Sequence, residues 1–132
     1  MNERELMTKA VRAADSARLL LEAGDVDSAC NRAYYAMFDA ARAALLASEA
    51  PVEAEVARTH GGLISAFSLH LVKTGRVSID LGRTLNRVEE IRLVADYKGD
   101  SVDHEHAAWA VRQAENFVQT MQREFLPDFR SS

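Results

Sequence analysis

A chain of 132 residues, 48% hydrophobic and 27% charged, has the profile of one ordinary globular domain, 1–132, long enough to fold around its own core without staples. That profile excludes a disordered tail or a collagen-like repeat. The net charge of −4 excludes the generally basic surface that drives nonspecific binding to duplex nucleic acid, and a single cysteine, Cys30, excludes an intramolecular disulfide.

The first predicted helix runs from Asn2 to Ala23, with an apolar stripe of Leu6, Ala10, Ala14, Ala17, Leu20 and Leu21, and Gly24 ends it. The second runs from Asp25 to Ser48, capped by Asp25 or Asp27. Its middle, Ala33 to Phe38, is apolar or aromatic at every position, which places it at the centre of a bundle with Tyr34 and Phe38 facing the core. Glu49 to Arg58, with Pro51, is the longest expected loop. A third helix spans Thr59 to Thr74 and is stopped by Gly75. The fourth spans Asp80 to Tyr97 with the stripe Leu81, Leu85, Val88, Ile91 and Ala95. A turn at Lys98 to Val102 leads to the fifth, Asp103 to Phe125, whose stripe is Ala107, Val111, Ala114, Val118, Met121 and Phe125; Leu126 to Ser132 reads as a frayed tail. The fold class is all-α, an up-and-down antiparallel bundle of about five helices.

No stretch approaches the ~18 apolar residues of a membrane span. Met1 to Lys9 carries charges and lacks the apolar core of a secretory signal, so no membrane partner and a reducing, cytoplasmic setting are expected. The chain has 13 arginines against 3 lysines. Arginine suits bidentate phosphate contacts, but the excess reads rather as the codon bias of a GC-rich genome, to which the 22 alanines also point.

Few residues group as metal or nucleophile sites. His104 and His106 are two apart and point about 200° from each other on a helix, so they suit a polar first turn capped by Asp103 better than a shared ion. His60 and His70 are too far apart to share a ligand, and no metal or other cofactor is expected. Gly61-Gly62 lacks the surroundings of a phosphate loop and suggests close approach of a neighbouring helix. Cys30 reads as packing. Arg92 and Asp96 share a helix face, with Tyr97 next and Arg76, Arg83 and Arg87 upstream; on spacing alone Arg92 and Asp96 are a surface ion pair of little energetic weight.

The blocks Asn31-Arg32-Ala33-Tyr34-Tyr35-Ala36-Met37-Phe38, Thr59-His60-Gly61-Gly62-Leu63-Ile64, Arg92-Leu93-Val94-Ala95-Asp96-Tyr97 and Ala114-Glu115-Asn116-Phe117-Val118 resemble, in order, those of the HEPN superfamily of small helical domains. The resemblance implies a helical bundle that forms homodimers and is paired with a minimal nucleotidyltransferase in toxin–antitoxin systems. Active relatives are metal-independent RNases whose signature is an arginine followed four to six residues later by a histidine, at a dimer cleft. A histidine counted from Arg92 would fall at Tyr97, Lys98 or Gly99, and counted from Arg87 at Arg92, Leu93 or Val94; none is histidine. Arg92, Asp96 and Tyr97 carry over as site positions, while the acid–base role carries over to none. Tyr97 also matches a tyrosine that the partner enzyme modifies in some relatives.

The resulting expectation is an RNA- or nucleotide-directed toxin-like component. The alternatives are a noncatalytic nucleotide-binding or partner-supporting homodimer and a purely structural dimer. Arg92 would hold a phosphate, Asp96 would orient the Arg92 guanidinium and Tyr97 would offer a hydroxyl, with Arg32, Tyr35, His60 and Arg87 binding nucleotide or RNA. The bulky residues Phe38, Phe67, Trp109 and Phe117 suggest apolar surface left over for a dimer interface. As a surface ion-pair residue, Arg92 would be removable with melting nearly unchanged.

Overall fold

The computed structural model describes residues 1–97 and 102–130. Five α-helices follow one another: α1 (Glu3–Glu22), α2 (Val26–Ala47), α3 (His60–Phe67), α4 (Ile79–Tyr97) and α5 (His104–Phe125). All five stand within a residue or two of the helices expected from periodicity, except that the third divides. After Phe67 the chain widens into a π-helical turn, Ser68–Val72, closed by the Lys73 amide donating to the Ser68 carbonyl.

The helix ends are made as the residue types demand. Asn2, Asp25, Thr59 and Asp103 each accept a backbone N–H of the first turn they precede. Asp27 therefore does not cap α2; its carboxylate accepts the Val102 amide at 3.1 Å and ties the approach to α5 against α2. Gly24 and Gly75 take φ of +85° and +80°, left-handed values that a side chain would strain.

α2 is the central element and packs against α1, α3, α4 and α5. Thirteen of its residues are buried, and seven of these are alanines, whose small side chains let four neighbours approach closely. Phe38, Phe67 and Phe117 are buried within the single chain, which corrects their assignment to an interface; Trp109 alone of the four is partly exposed. The tail is not frayed through Arg130: Leu126 and Phe129 fold back into the core, with Arg4 over the Phe129 ring. The close neighbour of Gly62 is not another helix but the preceding 3-10 turn, Val56–Arg58: a Cβ there would collide with the Val56 carbonyl and the Thr59 hydroxyl. Of the expected turn at Lys98 to Val102, residues 98–101 lie outside the described residues.

Candidate functional site

α2, α3 and α4 converge on Arg92. It is not a surface residue: only 5% of its side chain is exposed. The reason is its register. Arg92 follows Val88 by four and Leu85 by seven, and so continues the buried stripe of α4. Its Cζ lies 4.7 Å from the centroid of Tyr34, 5.8 Å from Tyr35 and 5.9 Å from Tyr97, so the guanidinium is caged by three aromatic rings. Nη1 donates to Asp96 Oδ2 at 3.3 Å, and Nε is buried with no hydrogen-bond partner among the described residues.

A chain of hydrogen bonds links this buried cation to the surface. Asn31 Nδ2 donates to the same Asp96 oxygen at 3.1 Å, and Asn31 Oδ1 accepts from Arg32 Nη2 at 3.1 Å. Arg32 is exposed and lies over the Tyr35 ring at 5.4 Å. The steps of α2 that place Tyr34 inward therefore place Asn31 and Tyr35 at the rim.

His60, the first residue of α3, reaches the other side of the same cage. Its Nδ1 stands 2.8 Å from Tyr34 Oη, which also lies 3.0 Å from Glu89 Oε2. A phenol has one proton to donate, and a carboxylate can only accept. Tyr34 must then donate to Glu89 and accept from His60. This assigns the Nδ1–H tautomer and leaves the lone pair of the neutral imidazole on Nε2. Burial first, and then the charge of Glu89, pushes the Tyr34 hydroxyl far above the usual phenol range, so Tyr34 keeps its proton. Phe38 packs edge-on against the ring of His60 with centroids 5.3 Å apart.

Of the expected site residues, the structure brings Arg92, Asp96, Tyr97, Arg32, Tyr35 and His60 together. Arg87 stands apart: it pairs with Glu90 at 3.0 Å and faces a different hollow, beside Ile91, Val102 and His106. It precedes Arg92 by five positions, which turns it about 140° around the helix. Asn31, Tyr34 and Glu89 belong to the site as well. Glu89 was legible as the residue three before Arg92 on one face, and Asn31 as the residue four before Tyr35 on α2.

A small all-α bundle whose second, third and fourth helices meet at an aromatic-caged arginine is the class of protein that these elements define. The HEPN domain family matches residues 3–124, and the chain belongs to it. A UPF0332 protein of Thermotoga maritima is 36% identical, covering 93% of this chain and 94% of its own. A UPF0332 protein of Gloeobacter violaceus is 34% identical over 94% and 95%. "Putative toxin MJ0605" of Methanocaldococcus jannaschii is 32% identical over 82% and 77%.

Proposed function

We propose that this chain is the toxin half of a toxin–antitoxin pair, acting on RNA at the cleft built around Arg92, as a homodimer and beside a minimal nucleotidyltransferase. The observation that carries this reading is the oriented His60 at the Arg92 cage: the imidazole absent from the positions after Arg92 arrives from α3 instead. The name of the archaeal relative agrees with the toxin role.

In this reading Nε2 of His60 accepts the proton of an RNA 2′-hydroxyl. The 2′-oxygen attacks the adjacent phosphorus, and the 5′-oxygen leaves and is protonated by solvent. Arg92 is too enclosed to grip the phosphate by itself. It fixes Tyr34, Tyr35, Tyr97 and Asp96, while the exposed Arg32 meets the anion. The second copy completes the cleft along the end of α4, where Leu93, Val94 and Tyr97 are 36%, 38% and 73% exposed.

The test is purified protein with a labelled single-stranded RNA in EDTA, beside His60→Ala, with induction of both in growing cells. Cleavage and growth arrest by the wild type, both lost in His60→Ala, are expected. RNA binding without cleavage by the wild type would leave the noncatalytic reading, which the enclosure of Arg92 favours, as the correct one.

A further inference from the structure

A second feature opens beside the cleft, between α1 and α2. Lys9 and Arg12 on α1 face Arg32 and Arg42 on α2 across a hollow of about 440 Å³, within the ~300–1,000 Å³ range of ligand sites. Four cations share this groove with one carboxylate, Asp39, in a chain whose net charge is −4. Among the described residues none of Lys9, Arg12 and Arg32 lies within 4.0 Å of a carboxylate, and Arg42 meets only Asp39, at 3.9 Å.

The groove is also built for planar groups. Arg32 lies over Tyr35 at 5.4 Å and Arg42 over Phe38 at 5.9 Å. Each guanidinium sits over a ring; Arg32 gives Nε and Nη2 to Asn31 Oδ1, and its Nη1 makes no hydrogen bond among the described residues and can meet a phosphate oxygen. Tyr35 and Arg32 border the groove and the Arg92 cleft alike, so the two are continuous.

We infer that this groove is a phosphodiester track for single-stranded RNA, which holds the chain upstream or downstream of the segment lying at the Arg92 cleft. The inference rests on the reading that the cleft takes RNA. A row of cations on two helices suits a repeating backbone charge better than a single phosphate. The exposed Arg32 guanidinium, backed by the Tyr35 ring, suits an unpaired base, since the face of a paired base is already stacked in its duplex.

The experiment is fluorescence anisotropy of a labelled oligouridine across a salt series, with unlabelled uridine monophosphate and duplex DNA as competitors. The variants are Lys9→Glu with Arg12→Glu, both at exposed positions away from the cleft, checked for fold by circular dichroism. The double variant is expected to bind at least tenfold more weakly. The slope of log affinity against log salt should fall by about 1.4, or ~0.7 for each lost phosphate contact on a single strand. Unchanged affinity and slope in the double variant, with wild-type binding intact, would overturn the track and leave the cleft standing. No wild-type binding to RNA would overturn both. Equal displacement by uridine monophosphate would make the groove a mononucleotide site and overturn the track, as would equal displacement by the duplex.

Discussion

Tyr34 Oη stands 3.0 Å from Glu89 and 2.8 Å from His60, so one phenol holds a carboxylate on α4 and an imidazole on α3 at fixed positions. Tyr34→Phe keeps the ring under Arg92 but leaves both partners without their shared hydroxyl. Stability should fall by about 1–3 kcal/mol, the cost of stranding half-buried polar groups. The 15N spectrum of His60 should show the Nδ1–H tautomer in the wild type and a mixture in the variant. An identical tautomer in both would show that Tyr34 does not orient the ring.

Arg92→Ala tests the cage. The sequence reading expected almost no change in melting, since an exposed ion pair contributes little. With 5% of the side chain exposed, the truncation instead opens a cavity beneath three tyrosines. A loss of about 2–4 kcal/mol in urea denaturation is expected, and Arg92→Met, which fills the space without the charge, should recover part of it. A wild-type midpoint in Arg92→Ala would mean that the cage contributes nothing to the fold.

The helices and their caps were legible because periodicity and capping are local. Leu6 to Leu21, Leu85 to Ile91 and Ala107 to Met121 repeat by threes and fours, and Asp25, Thr59 and Asp103 announce their helices. The site was half legible. Arg92, Asp96 and Tyr97 are neighbours on one helix, but the partnership of His60 with Tyr34 spans 26 residues and depends on how α3 docks, which no spacing rule contains. The burial of Arg92 could have been read from its place four residues after Val88; its charge argued the other way.

Phe38→Ala measures the centrality of α2. The ring is 6% exposed and touches Tyr34, Tyr35 and His60. A loss of about 3–5 kcal/mol is expected from burial and cavity terms. An effect no larger than that of a surface substitution would place the ring outside the core.

Association is tested at the end of α4. Light scattering at micromolar concentration should give twice the chain mass of 14.6 kDa. Leu93→Glu with Val94→Glu should return the single-chain value, because both residues are exposed and two like charges would meet their copies across a two-fold axis. A wild-type mass of one chain would exclude the homodimer.

Asp39 gives the pH dependence. Burial raises its carboxyl above the ordinary value of 3.8, against the opposing pull of Lys9, Arg42 and Arg32. The folded chain therefore holds this proton to a higher pH than the unfolded chain does. Stability from this group is greatest in acid, falls as pH rises from the unfolded value through the folded one, and stays reduced at pH 7. Asp39→Asn removes the buried charge and should be more stable than wild type in urea at pH 7, with the difference vanishing below about pH 3, where both side chains are neutral. The same substitution takes away the only carboxylate that lines the basic groove among the described residues, and should tighten oligouridine binding. An Asn variant that is less stable than wild type at pH 7, with the deficit vanishing in acid, would show that attraction to the three cations outweighs burial, and the order of these two effects would be reversed.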